Sequence, residues 1–339
     1  MSHTGMKQRC WEHDYRAPSF YMITVVTEPR RGCLSEVGPY PGAGAAPGTQ
    51  PAGAAPGATP RELLTLFPMG EVVREVWGRT SSVYPGVEAC ECVVMPDHFH
   101  GILWVKQRLK RHMGHIVKAF KLVSEQECKA KGLLRPGSVP GAAGSVPGAA
   151  PAPGSSLWEL GYQDTILLRR GQLKAMSRYI ADNPRRLAIK RANPKLFTVA
   201  ATLPVAPGLR CPGIGNRFLL DRPVKRQIQI SRSISPDALA DKKEELLYAA
   251  EHGAVLVSPC ISPGEKDIAR AALDAGLPLI VLLENGFSPL YKPPGKYFDA
   301  CAAGRLLMLA PFPFHREKRT ITREQCLTLN TWASAIAGA

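Results

Sequence analysis

The sequence has no CxxC pair. Its nine cysteines are scattered singly apart from Cys90 and Cys92, so neither a zinc ribbon nor a disulfide framework is indicated. A reducing cytoplasm fits that usage, and Cys90 and Cys92 read as packing residues of a strand. Long apolar runs are also missing. The longest, around Leu277 to Leu283, is far too short to span a bilayer, and the opening MSHTGMKQRCWEHDYR holds no apolar signal core. A cytoplasmic protein with no membrane part is expected. Acidic residues are scarce: 28 against 43 lysines and arginines, a net charge of +15. The imbalance is concentrated early, with 26 basic and 15 acidic residues up to Val199 and 17 and 13 after it. A basic first half points to a polyanionic partner, above all nucleic acid. No GxGxxG fingerprint occurs, and GIGNRF is too short a match to count.

What is present falls into two textures. Two Pro/Gly/Ala tracts, 38–60 and 137–156, interrupt the first half; the second contains GSVPGAA twice in succession. Such tracts have little to bury and read as loops grown inside one domain of residues 1–199. Around them, FYMITVVT (Phe20 to Thr27) is a strand by its β-branched and aromatic content. Val72, Val73, Val76 and Trp77 are spaced for one side of a helix. VEACECVVM predicts a strand, turned by Pro96 and Asp97 into a second one. Helices are expected over HMGHIVKAFKLVSEQECKAK and GQLKAMSRYIADNPRR, with the short strand DTILLR between them. This mixture predicts a small α+β domain. Residues 200–215 read as a linker. Over 216–339, continuous apolar strands (AVLVSP, LPLIVLLE, GRLLMLAP) alternate with helices, which predicts a Rossmann-like parallel α/β domain.

The chemistry centres on VVMPDHFHGILWV. Side chains alternate along a strand, so His98 and His100 share a face and Phe99 takes the other. Two adjacent imidazoles can bind a metal, bind a phosphate, or simply be accommodated. Their strongest companion is MSRYIADNPRR, where Tyr179 and Asn183 lie four residues apart on one helix face. Pro184 disfavours helical geometry at Asn183 and predicts the helix end there. The Asn183 amide oxygen can serve as a hard ligand. A tyrosine beside a divalent metal can attack a phosphodiester and form a covalent phosphotyrosine. The plain alternative for Tyr179 is a half-buried helix aromatic.

VVMPDHFHGILWV, followed by LWELGYQDTILLRRGQLKAMSRYIADNP, resembles the single-tyrosine HUH transposases, and in particular the REP-associated tyrosine transposase branch. The likeness covers roughly Tyr15 to Phe197 without the two tracts. It implies a ferredoxin-like α+β fold, an antiparallel sheet with helices, that binds single-stranded DNA, often near a hairpin. It implies that His98 and His100 bind Mg2+ or Mn2+, that Asn183 is the helix-borne third ligand, and that Tyr179 is the nucleophile. Cutting would leave a 5′-phosphotyrosine and a free 3′-OH able to rejoin strands. Asp97 stands where such proteins commonly carry Asn, and no role is assigned to it. Relatives act as dimers or as monomers, so monomer and homodimer both stay open.

Lys106, Arg108, Lys110, Arg111, Lys118, Lys121, Arg185 and Arg186 are candidate phosphate contacts; the bland alternative is a solvated basic face. His112 and His115 belong to the same surface rather than to a second metal site. Trp104 and Trp158 can stack on unpaired bases or simply pack. In the second domain, AVLVSPCISPGEKDIARAALDAGLPLIVLLENG resembles the Rossmann-like domain of DNA-processing (Smf-type) proteins. That would put Ser262 and Gly264 at a helix start able to bind phosphate; no organic cofactor is assigned. Two other functions compete with the transposase: a non-cleaving, hairpin-binding regulator, and a hydrolase using activated water without a covalent step.

Overall fold

The computed structural model describes residues 10, 12–40, 62–134, 156–317 and 319–338. The loop readings at 38–60 and 137–156 fall almost wholly outside these residues. The described residues divide into two compact units, the first ending at Ile189 and the second beginning at Lys190.

The first unit contains β1 (Ser19–Val26), β2 (Ser35–Val37), β3 (Leu64–Leu66), α1 (Pro68–Gly78), α2 (Thr80–Val83), β4 (Val87–Val94), β5 (His98–Val105), α3 (Gly114–Ala130), β6 (Gln163–Ile166) and all but the last turn of α4 (Gln172–Ala192). Four strands form an antiparallel sheet in the order β4-β5-β1-β6, while β2 and β3 pair separately. Strand alternation decides which residues meet which helix. Tyr21, Ile23 and Val25 of β1 and Phe99, Leu103 and Val105 of β5 pack with Val72, Val73 and Trp77 of α1 and Ile116, Val117 and Phe120 of α3. Met22 and Ile102 point to the other face, where they meet Ile180 and Ala188 of α4. The sheet is therefore covered on both sides by different helices.

Gly101 has a steric reason to be glycine. A Cβ there would lie 2.6 Å from the Trp77 ring, so the strand can lie under that indole only without a side chain at this position. The helix carrying Tyr179 does not end at Asn183, as the sequence suggested. It runs on through Pro184 to Ala192. Proline forgoes the i→i−4 bond to Ile180, but Ile180, Pro184, Ala188 and Ile189 are all buried, and that packing holds the helix together across the break.

The second unit holds β7 (Ala200–Ala206), β8 (Leu209–Gly215), β9 (Lys225–Gln227), α5 (Pro236–Glu251), β10 (Val255–Ser258), α6 (Pro263–Asp274), β11 (Leu279–Leu282), α7 (Gly295–Ala302), β12 (Leu306–Leu309) and α8 (Arg323–Ala337). Its six-stranded sheet runs β7-β8-β12-β11-β10-β9, with β9 to β12 parallel and β8 antiparallel to both β12 and β7. Residues 200–215 are thus a hairpin of this sheet rather than a linker. The hairpin turns at Gly208, whose φ of +72° suits glycine. One face of the sheet is covered by Leu246, Ala250, Ile268, Ala269, Ala272 and Cys301 of α5, α6 and α7. The other is covered by Leu329, Ala333 and Ile336 of α8.

The nine cysteines are free thiols. Burial pushes Cys90 and Cys211 up to about 11 and Cys128 and Cys301 up to about 12, so these sulfurs stay protonated and pack. No helix among the described residues is long and apolar enough to cross a membrane.

Candidate active site

β5 and α4 build the site. His98 and His100 project from the face of β5 that meets α4, as alternation requires, and their ring centroids lie 4.7 Å apart at 77°. His100 is buried at 7% exposure. Its ring centroid is 6.0 Å from that of Tyr179, which is half-buried on α4. The two histidines and the tyrosine, some eighty positions apart in the chain, therefore meet on one face of the sheet. Asn183 follows Tyr179 by one turn. It is 9% exposed, and its Nδ2 is buried without a hydrogen-bond partner.

Both imidazoles are held through Nδ1. His98 Nδ1 lies 2.6 Å from Asp97 Oδ1. Asp97 is itself fastened at two points: Arg30 Nη1 is 3.5 Å from Oδ2, and the Thr27 backbone N–H donates to the Asp97 carbonyl at 3.0 Å. The hydrogen bond from His98 holds the Asp97 carboxyl below its ordinary value against the opposing effect of burial. His100 Nδ1 lies 2.8 Å from Thr24 Oγ1. Thr24 is the residue directly opposite His100 in the β1–β5 register, so the ladder itself places the hydroxyl. The sequence reading gave Asp97 no role and did not reach Thr24. An acid next to a histidine at a turn was the available signal for the first; the second depends on strand register.

The basic candidates fall in different places. Arg186 lies beside the nucleophile candidate, its guanidinium carbon 6.0 Å from the Tyr179 ring centroid. Arg185 forms two hydrogen bonds to Asp182, at 2.5 and 3.0 Å. Lys106 pairs with Glu88 at 2.6 Å and sits 4.8 Å from the centroid of the Trp104 ring. Arg108 pairs with Asp14 at 2.8 Å. Lys110 and Arg111 are exposed in the connection between β5 and α3. Lys118 and Lys121 lie on α3, which covers the face of the sheet away from His98 and His100. Lys118 is exposed there. Lys121 Nζ donates to the carbonyls of Glu159 and Gly161 at 2.6 and 2.7 Å, and burial lowers its pKa. Lys121 therefore ties down a loop and is not brought to the histidine site. His112 stacks on Tyr15 at 4.7 Å, and its Nδ1 accepts from the Gly114 N–H. Trp158 is buried, with Nε1 donating to Ser124 Oγ, which makes it a packing residue.

In the second unit, the helix start at Ser262 is satisfied from within. Ser262 Oγ accepts from the Glu265 N–H, and the Glu265 carboxylate accepts from the N–H groups of Ile261 and Ser262. A Cβ on Gly264 would lie 2.6 Å from Ile230 Cγ2, so helix packing accounts for that glycine.

No family model and no curated protein matches the chain. Among solved structures it is similar to a REP-associated tyrosine transposase bound to a REP hairpin, at 14% identity and a TM-score of 0.31, over 52% of this chain and 73% of that one. It is similar to DNA processing protein A from Helicobacter pylori, described for its single-stranded DNA binding, at 20% identity and 0.32, over 41% of this chain and 65% of that one. It is also similar to a proposed transposase from Deinococcus radiodurans, at 16% identity and 0.26, over 52% of this chain and 95% of that one.

Proposed function

We propose that the first unit is a metal-dependent endonuclease and strand transferase for single-stranded DNA, acting through a 5′-phosphotyrosine on Tyr179 at hairpin or repeat DNA. In this reading its fold is the ferredoxin-like HUH arrangement, and the second unit is Rossmann-like. The observation that carries the reading is the meeting of His98, His100 and Tyr179 on one sheet face, with His100 and Tyr179 6.0 Å apart.

In this reading the cation is Mg2+ or Mn2+. His98 and His100 offer ring nitrogens, and Asn183 offers an amide with one buried end that lacks a partner. Nitrogen and oxygen ends of a side-chain amide have nearly the same shape, so an oxygen donor fits where the orphaned nitrogen stands. His98, His100 and Asn183 would hold the cation, and when bound it would supply stabilisation of the negative charge that develops on a phosphodiester. The remaining work belongs to the chain. The Tyr179 oxygen attacks phosphorus and the P–O3′ bond breaks. The phenolic proton is released and the departing 3′ oxygen takes up a proton to become a hydroxyl, while the 5′-phosphate stays on Tyr179. Attack of a 3′-OH on that linkage reverses the step and joins strands. Arg186 places a guanidinium over the face of the Tyr179 ring, 6.0 Å from its centroid.

The test is a denaturing gel of the protein with Mg2+ or Mn2+ and labelled single-stranded oligonucleotides that contain hairpins. A protease-sensitive covalent adduct is expected, absent from Tyr179→Phe, which still binds. An adduct in the variant would remove Tyr179 as the nucleophile. Binding with no adduct in the parent protein would favour the non-cleaving regulator.

A further inference from the structure

The histidine pair is held from behind by two groups that have no part in the reaction above. Asp97 meets His98 Nδ1 at 2.6 Å, and Thr24 meets His100 Nδ1 at 2.8 Å. A carboxylate only accepts hydrogen bonds, so a neutral His98 bonded to it carries its proton on Nδ1 and its lone pair on Nε2. Free imidazole is under no such compulsion. The identity of residue 97 matters for the same reason. An asparagine there could accept through its oxygen or donate through its nitrogen, and would leave the tautomer undecided; an aspartate decides it. The Asp97 backbone is also restrained, because Thr27 holds its carbonyl through both N–H and Oγ1, and Arg30 Nη1 lies 3.5 Å from its carboxylate.

We propose that Asp97 and Thr24 are positioning residues that fix His98 and His100 as Nδ1–H tautomers, so that each presents Nε2 to a divalent cation. The inference rests on the metal reading of the site. In it Thr24, whose hydroxyl is able to donate or accept, is the acceptor, and the β1–β5 register holds it opposite His100. Outer partners of this kind typically contribute about 10- to 100-fold in metal affinity.

Two readouts test it without recourse to activity. The first is nitrogen NMR of protein labelled at histidine, recorded without metal, with signals assigned by single His→Gln changes. His98 and His100 are expected to carry their protons on Nδ1. Asp97→Ala is expected to release His98 alone, and Thr24→Val His100 alone, while Thr24→Ser restores the parent pattern. The second is Mn2+ binding by titration calorimetry, where Asp97→Ala and Thr24→Val are each expected to weaken affinity about 10- to 100-fold. Asp97→Asn is the milder variant should Asp97→Ala fail to fold. Parent histidines protonated on Nε2, or Mn2+ affinity unchanged in folded Asp97 and Thr24 variants, would overturn the proposal alone. Failure of the parent protein to bind Mn2+ at all would overturn the metal reading and this inference with it.

Discussion

His100 and Tyr179 face each other across the packing of β5 on α4, with ring centroids 6.0 Å apart and planes at 60°. The same α4 face carries Asn183 one turn later, buried and with Nδ2 unpartnered. Leaving a buried polar group unpaired costs about 1–3 kcal/mol. Replacing Asn183 with leucine, which has the same branched four-atom shape and no polar atoms, removes that cost. The expected outcome is a rise in unfolding free energy on the order of 1 kcal/mol, together with loss of the metal-dependent adduct. Urea titration and the denaturing gel measure the two effects. A site kept for function at the expense of stability should show them in opposite directions. Destabilisation would mean that the amide is structurally satisfied in solution.

Gly101 separates His100 from Ile102 and lies under Trp77. Gly101→Ala forces either the strand or the indole to shift. Overpacking of this kind costs typically about 1–3 kcal/mol, seen as a lower urea midpoint with an unchanged slope. His100 neighbours Gly101 on the same strand, so the histidine NMR signals should move as well. A variant of parental stability would show that Trp77 has another rotamer available at no cost.

Much of this arrangement was legible in the sequence, because alternation along HFHGILWV and the four-residue spacing of Tyr179 and Asn183 are local patterns. The alternating strands and helices of the second unit were legible for the same reason. Three features were not, each for a physical cause. Pro184 marks a helix end by local rules, but the buried surface of Ile180, Ala188 and Ile189 carries α4 past it. Leu209 to Gly215 looks like a linker because of Pro212 and three glycines around the turn and strand end, yet it pairs with β12 at the sheet. Lys121 looks like a phosphate contact until its bonds to the carbonyls of Glu159 and Gly161 appear. Contacts at a distance of 38 and 40 residues have no local signature.

Tyr15 and Tyr21 give the first unit a defined alkaline limit. Burial, joined for Tyr15 by its hydrogen bond to Asp164, pushes each phenol up to about 12 from its ordinary value of 10.0. Both therefore hold a proton in the folded protein at pH values where the unfolded chain has released it. With the folded state binding more protons, stability falls as pH rises. The loss begins near pH 10.0 and is complete above about 12; stability is fully present below that window. Urea midpoints between pH 9 and the alkaline limit should decline, and Tyr15→Phe should soften the decline by removing one of the two groups (roughly half of the effect if the two act alike). An unchanged pH dependence in Tyr15→Phe would show that this phenol ionises as readily in the folded protein as in the unfolded one.

Trp104 offers a way to separate DNA binding from chemistry. It sits on β5 on the same face as His98 and His100, and its ring stacks on Phe20, its partner across the ladder, at 5.0 Å and 13°. Trp104 is only half-buried, and Lys106 lies 4.8 Å from its ring centroid. An aromatic surface beside a cation suits an unpaired base and its phosphate, and such stacking contributes about 1–3 kcal/mol per base. Trp104→Ala should therefore weaken binding of a single-stranded oligonucleotide on the order of tenfold, measured by fluorescence anisotropy without metal so that no cleavage intervenes. Trp104→Phe keeps a ring and should recover most of the affinity. Because Phe20 also loses its neighbour in Trp104→Ala, urea titration must accompany the binding curve. Lower stability with unchanged affinity would assign the pair to holding β1 against β5. Lower affinity at little cost in stability would place the DNA strand along the same sheet face as the histidines and Tyr179.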